Sequence, residues 1–223
     1  MSGPAQSCFL YLFPSAIEAG AEGALALQWP DAEGAFAKRP LPAINPRLHT
    51  LHGRSGALSP DECRRVVELG ERLPRTDGRV ELGADSYRVS HIAWIEPQPA
   101  HHWLYHKLAL LFAQANRHYG FELTGFVDAL QYTVYGPEQH FEWHLDLGLD
   151  QTSARKLSMT IQLTEPHEYA GGDLEFVNLD AGDQGRQLGA ATFFPSYLAH
   201  RVTPVKSGVR RSLVAWGYGP AFK

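Results

Sequence analysis

The second half of the chain is a succession of short segments separated by glycine or proline. After Gly120 we predict strands at 127–135, 140–146, 157–164, 173–178, 190–194, 197–205 and 209–217. Apolar and polar residues that alternate with a period of two are typical of β-strands, and glycine or proline between them indicates turns. This many short strands in one stretch is typical of a sandwich or barrel.

Two helices are predicted before these strands. Ser59-Pro60-Asp61-Glu62 combines an N-cap serine, a proline at the first helical position and a glutamate at the capping-box position. This helix is expected to end at Leu73-Pro74, and a second is expected between Pro99 and Tyr119-Gly120. The expected fold class is therefore mainly β (α+β), with the helices packed on one sheet.

The segment between the two helices is less regular. Residues 76–85 are polar and carry glycine, and are predicted to form a loop. Tyr87–Ile95 is predicted to be one strand.

The first 55 residues differ from the rest of the chain. They are rich in alanine, glycine and proline, and their periodicity is weak, although Cys8–Phe13 is a predicted strand. Within a chain of 223 residues, residues 1–55 are interpreted as an N-terminal appendage and residues 56–223 as the main domain. The appendage is expected to pack on the main domain or to form part of a partner surface, and the oligomeric state is left open.

The composition excludes several classes of protein. A net charge of −4 gives no electrostatic footprint for nucleic acid or for an anionic membrane. Only Cys8 and Cys63 are available, too few for a disulfide framework or a cysteine-rich metal site. The apolar run at 8–13 has no preceding lysine or arginine, so a secretory signal is not expected. No segment is long and apolar enough to span a bilayer. A cytoplasmic location is expected.

A metal centre is suggested by one short motif and its surroundings. His144 and Asp146 are two residues apart on a predicted strand, so both can face one ion while Leu145 points into the opposite layer. With His200 they form a set of two imidazoles and one carboxylate, which is typical of non-haem Fe(II) sites. A hairpin that turns at 206–208 would place His200 and Arg210 on neighbouring strands.

These histidines also have explanations that involve no metal. An isolated His-x-Asp is more often a surface histidine followed by a turn aspartate. His102 and His106 have the i, i+4 spacing of a zinc-binding pair, but no third ligand is evident and a solvated helix face is favoured.

Three segments together resemble the Fe(II)- and 2-oxoglutarate-dependent dioxygenases, in particular the prolyl 4-hydroxylase-like branch. They are QYTVYGPEQHFEWHLD (131–146), KLSMTIQLTEPHEYAGGDLEF (156–176) and FFPSYLAHRVTPVKSGVRRSLVAW (193–216). The resemblance extends more weakly to LSPDECRRVVEL (58–69) and to Tyr87-Arg88-Val89-Ser90, so it covers about residues 57–217. It implies a double-stranded β-helix, or jelly roll, with the iron at one open end.

The resemblance also implies roles for individual residues. His144, Asp146 and His200 would bind iron, and Arg210 would pair with the distal carboxylate of 2-oxoglutarate. Tyr135 matches a tyrosine near the co-substrate in relatives, and Gln162 falls where some relatives have a tyrosine against the same carboxylate. Because of that departure, Ser212 or Thr160 is an alternative second anchor. Residues assigned to the substrate side are Gln131, Thr133, Arg88 and Trp216. No catalytic side chain is expected beyond the metal site.

The function implied is hydroxylation of a peptidyl or amino-acid C–H bond, with release of succinate and CO2. Asp146 favours hydroxylation, since related halogenases have a small residue at this position. The expected cofactors are Fe(II), 2-oxoglutarate and O2, with ascorbate as an optional reductant. Two alternatives stay open: a hydroxylase of a small natural-product intermediate, and a cupin-like metal-binding or regulatory protein without catalysis. The partner is a peptide, protein or small-molecule substrate, and neither nucleic acid nor membrane is expected.

Overall fold

A computed structural model describes residues 15–19, 24–28, 45–78, 80–82, 85–180 and 182–221. The chain separates into two compact units, Met1–Asn45 and Pro46–Lys223. In the first unit, β1 (Ser15–Ala19) and β2 (Ala24–Gln28) form an antiparallel pair. The strand predicted at Cys8–Phe13 lies outside the described residues.

The two predicted helices are present in the second unit. Helix α1 (Pro60–Arg72) begins with the predicted capping box: Ser59 N–H donates to the Glu62 carboxylate at 2.7 Å, and Glu62 N–H donates to Ser59 Oγ at 3.2 Å. Helix α2 (His102–Tyr119) follows a 3₁₀ turn and ends at Gly120, whose φ is 74°. Within the described part of the chain, neither helix has the length and apolar character needed to span a bilayer.

Antiparallel strands make up most of the second unit. In chain order they are β3 (His52–Arg54), β4 (Thr76–Asp77), β5 (Val80–Leu82), β6 (Asp85–Val89), β7 (His91–Ile95), β8 (Leu130–Tyr135), β9 (His140–His144), β10 (Arg155–Gln162), β11 (Tyr169–Gly171), β12 (Leu174–Phe176), β13 (Ala191–Pro195), β14 (His200–Val202), β15 (Val205–Gly208) and β16 (Arg210–Tyr218). The major sheet has the order β3-β13-β10-β16-β8-β7-β4, and the minor sheet has the order β12-β14-β9-β6-β5. Strands β11 and β15 form a separate pair. The predicted mainly β class is confirmed.

The two faces of the major sheet have different roles. Leu157, Met159 and Ile161 of β10 are fully buried in the cluster that contains Leu104 and Leu108 of α2. The intervening residues of β10 point the other way, because side chains alternate along a strand. The helices therefore cover one face with the main hydrophobic core, and the opposite face is left to line a cavity between the sheets.

The predicted strand at Tyr87–Ile95 is two strands. Strand β6 pairs with β9 in the minor sheet, whereas β7 pairs with β8 in the major sheet. Ser90 lies between them and is fully buried. The prediction was wrong because the apolar pattern continues through a residue at which the chain passes from one sheet to the other. Residues 76–85, predicted as a loop, contribute β4 and β5.

The predicted hairpin between His200 and Arg210 is also wrong. Strand β14 belongs to the minor sheet and β16 to the major sheet, and the residues predicted to turn belong to β15, which pairs with β11. Pro204, which has no N–H for a ladder hydrogen bond, separates β14 from β15. Gly208 then turns the chain with a φ of 73°. His200 and Arg210 consequently lie on facing sheets rather than on neighbouring strands.

Candidate metal centre and anion pocket

Three predicted metal ligands meet where the minor sheet borders the cavity. His144 is the last residue of β9 and pairs with His200, the first residue of β14, while Asp146 follows two residues after β9. Asp146 Oδ1 lies 3.9 Å from His144 Nε2, and Asp146 Oδ2 lies 3.7 Å from His200 Nε2. The three ligand atoms all lie within 4.8 Å of one another, and no other such group occurs among the described residues. Two nitrogens and one carboxylate can occupy one face of a metal ion and leave positions open.

Backbone carbonyls orient both imidazole rings. His144 Nδ1 lies 2.7 Å from the Glu142 carbonyl oxygen, and His200 Nδ1 lies 3.0 Å from the Leu198 carbonyl oxygen. A carbonyl can only accept, so each Nδ1 carries a hydrogen, and Nε2 is the nitrogen that the neutral ring offers to a metal. Hydrogen bonds of this kind fix the ring orientation of metal-binding histidines.

Burial keeps this donor set in the form that binds metal. Phe141 stacks on the His144 ring at a centroid distance of 3.5 Å, and Phe194 lies edge-on to the His200 ring at 4.6 Å. Burial, followed by the neighbouring His200, lowers the pKa of His144 to about 4. Burial alone raises the pKa of the Asp146 carboxyl, but His200 and His144 outweigh it and the net pKa is lowered. At neutral pH the Asp146 carboxylate is therefore ionised and the His144 ring is neutral.

Arg155 fixes the backbone of Asp146 and was missed by the sequence analysis. Its Nη1 donates to the Asp146 carbonyl oxygen at 3.1 Å, and its Nη2 donates to Asp128 Oδ2 at 2.6 Å. Its Nε lies 3.0 Å from the Tyr218 hydroxyl oxygen, and its guanidinium lies 3.9 Å from the Trp216 ring centre. The signal available in the sequence was weak, because one arginine at the start of a strand has no distinctive pattern.

The cavity that His144, Asp146 and His200 line is called the metal cavity. Leu145, predicted to point into the opposite layer, instead borders this cavity and is 49% exposed. Strand β9 ends at His144, so the alternation on which the prediction rested does not continue to Leu145.

A buried arginine without a counter-ion lines the same cavity as the three predicted ligands, from the major sheet. Arg210 is 2% exposed, and its Nη1 donates to Ser212 Oγ at 3.3 Å while its Nε has no partner. No carboxylate among the described residues forms an ion pair with it. Tyr135 is paired directly with Arg210 across the sheet, and its ring centre lies 5.6 Å from the guanidinium carbon. A buried charge is costly unless it is paired, so this arrangement requires an anionic ligand.

Glycine makes room for this arginine. A Cβ built on Gly172, whose φ is 62°, would lie 3.0 Å from Arg210 Cδ. A side chain at this position would meet both backbone strain and the arginine side chain.

The two other predicted anchors for the co-substrate lie on β10, beside Arg210. Thr160 lines both the metal cavity and a neighbouring cavity of about 340 Å³, whereas Gln162 lines only the second. The Gln162 amide donates to the hydroxyl of Tyr169, and its Oε1 has no partner. Tyr169 was missed because β11 has only three residues and no recognisable alternation. A buried amide oxygen without a donor indicates that this wall is incomplete without a ligand or water.

Three of the four predicted substrate residues form a hydrogen-bonded wall of the metal cavity, which has a volume of about 240 Å³. Arg88 Nη2 donates to Gln131 Oε1 at 2.9 Å, and Thr133 Oγ1 donates to the same oxygen at 3.1 Å. Trp216 lines the cavity beneath Arg155.

The second candidate for a metal-binding pair does not belong to this site. His102 and His106 have ring centroids 6.0 Å apart on α2. No third ligand accompanies them among the described residues.

Comparison with known proteins points to one family. Residues 130–218 match the 2OG-Fe(II) oxygenase superfamily. A PKHD-type hydroxylase of Thioalkalivibrio sulfidiphilus is 34% identical over 158 residues, which cover 67% of this chain and 68% of the relative. The PKHD-type hydroxylase YbiX of Escherichia coli is 31% identical, with 72% of this chain and 75% of the relative covered.

Solved structures with the same fold include prolyl hydroxylases. A Pseudomonas putida prolyl-4-hydroxylase has a TM-score of 0.56 at 23% identity, with 78% of this chain and 94% of that chain covered. A Trichoplax adhaerens prolyl hydroxylase, in complex with a peptide fragment, has a TM-score of 0.58 at 18% identity, with 75% and 83% covered. At these identities the likeness establishes the fold, and the predicted jelly roll is confirmed.

Proposed function

The chain belongs to the 2OG-Fe(II) oxygenase superfamily and is an Fe(II)- and 2-oxoglutarate-dependent hydroxylase, and we propose that His144, Asp146 and His200 hold its iron. The proposal is supported by the chemistry of the donors: two Nε2 lone pairs and a carboxylate lie within 4.8 Å of one another. Iron bound here with 2-oxoglutarate and O2 would supply the oxidative decarboxylation that is coupled to substrate hydroxylation. Arg155 holds the Asp146 backbone in place.

Arg210 is proposed to bind the distal carboxylate of 2-oxoglutarate. The observation that carries this assignment is its buried guanidinium, which no described carboxylate balances. Ser212, Thr160 and Tyr135 border the same pocket and would complete it with neutral hydrogen-bonding groups. Gln162, held by Tyr169, is the less direct contact, because it faces the neighbouring cavity.

The proposed substrate is a peptidyl or amino-acid C–H bond. Support comes from the names of two structural neighbours, which are prolyl hydroxylases, one of them in complex with a peptide fragment. Gln131, Thr133, Arg88 and Trp216 are proposed to line the substrate position. A small natural-product intermediate is the alternative substrate. The non-catalytic cupin-like alternative is not retained, since the family relatives are hydroxylases. Ascorbate dependence and a cytoplasmic location stay predictions.

Residues 1–55 are proposed to be a docking segment for a partner or a second copy. The boundary for a test is better placed after Asn45, because His52–Arg54 is a strand of the major sheet. Gel filtration of the full chain and of a chain lacking residues 1–45 should then give different assembly states. Equal states would refute docking of a second copy.

An anaerobic titration tests the proposed site. Addition of Fe(II) and 2-oxoglutarate should produce a visible charge-transfer band, and aerobic incubation should convert 2-oxoglutarate to succinate. His144→Ala should remove the band, whereas Arg210→Met should keep it and raise the 2-oxoglutarate concentration needed for half-saturation. His102→Ala is the matched control and should behave as the wild type. Folded protein without a band would refute the proposal.

A further inference from the structure

Arg88 is a second cation of the metal cavity whose hydrogen-bond partners are neutral. It lies on β6 of the minor sheet and lines the same cavity as the metal ligands. Its Nε donates to Ser90 Oγ at 2.9 Å and its Nη2 to Gln131 Oε1 at 2.9 Å. Its guanidinium lies 4.7 Å from the Phe141 ring centre, and that ring in turn stacks on His144.

The other arginines of the cavity have counter-charges once the proposed co-substrate is bound. Arg155 is paired with Asp128 through Nη2 at 2.6 Å. In the loaded site, the two positive charges of ferrous iron and the single charge of Arg210 are balanced by Asp146 and the two carboxylates of 2-oxoglutarate. Among side chains that the structure describes, no carboxylate forms an ion pair with Arg88. The loaded cavity therefore keeps one uncompensated positive charge, at Arg88.

We propose that the substrate carries a carboxylate that pairs with Arg88, which rests on the proposed function. A substrate that enters a cavity of about 240 Å³ displaces the water around this guanidinium. The loss of hydration is costly unless the entering group brings a negative charge. A guanidinium offers two parallel N–H donors to a carboxylate, so the contact also orients the substrate.

The position of Arg88 favours the acid over its neutral analogue. Ser90 and Gln131 accept hydrogen bonds from Nε and from one Nη2 hydrogen of Arg88. These two bonds orient the guanidinium and leave its other N–H donors available to a ligand. An amide or ester of the same shape would leave the charge unpaired. Sites of this kind discriminate strongly against an analogue that lacks the matching group.

The test uses acetate as a probe of a carboxylate site and acetamide as its neutral match. Protein loaded with Mn(II) and saturating 2-oxoglutarate is titrated with each, and the paramagnetic relaxation of the probe methyl protons is measured. With the wild-type protein, the methyl protons of acetate should relax faster, and those of acetamide should not. Arg88→Gln should weaken acetate binding about tenfold, since a charged hydrogen bond of this kind contributes at least about 1.4 kcal/mol.

Arg201→Gln is the matched control. Arg201 lies on β14 of the same minor sheet and is paired with Glu175 at 2.7 Å, outside the metal cavity. The Arg201→Gln variant should leave acetate relaxation unchanged. Equal relaxation by acetate and acetamide, or an acetate effect that survives Arg88→Gln, would overturn the proposal. The charge-transfer band with Fe(II) is measured on each protein, so a failure of the proposed function is recognised separately.

The source of the carboxylate is then assigned by competition against acetate. Competition by N-acetylglycine but not by a blocked hexapeptide with one internal aspartate identifies a small acid or amino acid. Competition by the hexapeptide identifies a polypeptide.

Discussion

Replacement of Arg155 should weaken both the fold and the metal site. The side chain is 13% exposed, and that of its partner Asp128 is 20% exposed, so neither charge is fully solvated. Arg155→Ala removes a buried ion pair, a hydrogen bond to the Asp146 carbonyl and a stacking contact with Trp216. Breaking a buried pair typically costs 3–5 kcal/mol, and partial exposure reduces this to about 3 kcal/mol here.

Arg155→Lys separates the effect on the metal site from the effect on stability. Lysine keeps the charge near Asp128 but cannot also reach the Asp146 carbonyl with a planar fork. We expect a loss of about 1 kcal/mol in the free energy of unfolding, and a loss of about tenfold in metal affinity, because hydrogen bonds behind a ligand typically contribute that much. Urea denaturation of the metal-free protein and a Co(II) titration measure the two quantities. Arg201→Lys is the control, and unchanged Co(II) affinity in Arg155→Lys would refute the reasoning.

Three further predictions concern stability and reactivity. Gly70→Ala in α1 should destabilise the protein by about 2 kcal/mol in thermal denaturation, although alanine has the better helix propensity. The reason is that the new Cβ would lie 2.4 Å from the buried ring of Tyr132. A stabilised variant would contradict this. Burial raises the pKa of Glu62, but Lys107 and Ser59 outweigh it and the folded-state pKa is lowered. The stabilisation by the Glu62 charge is therefore present at neutral pH and lost as pH falls through that pKa, so Glu62→Gln should cost about 1 kcal/mol at pH 7 and little in acid. A difference that stays constant with pH would be inconsistent with this. Burial raises the pKa of the Cys63 thiol to about 11. In a Cys8→Ser background, Cys63 should therefore react with a disulfide reagent at pH 8 only as fast as the protein unfolds. An immediate stoichiometric reaction would argue against this.

Local patterns predicted the helices and the inward faces of the strands. The capping box predicted the start of α1. Gln131, Thr133 and Tyr135, all assigned to the site, are two residues apart on one strand, and they line the cavity together. These features depend on neighbours within a few residues, so the sequence contains the information directly.

Sheet membership could not be predicted in the same way. Ser90 and Pro204 mark points at which the chain leaves one sheet for another, and the partners that decide this are distant in sequence. The site still came together, because His144, Asp146, His200 and Arg210 all face one cavity whichever sheet carries them. Arg155 was missed for the same reason, since its partners Asp128 and Asp146 are identified only by the fold.

A crystal structure with Mn(II) and 2-oxoglutarate, with the metal located by its anomalous scattering, tests the central claim most directly. We predict one strong peak that contacts His144 Nε2, His200 Nε2 and an Asp146 carboxylate oxygen, with the distal carboxylate of 2-oxoglutarate on the Arg210 guanidinium. Metal bound at other side chains, or 2-oxoglutarate bound without contact to Arg210, would contradict the account.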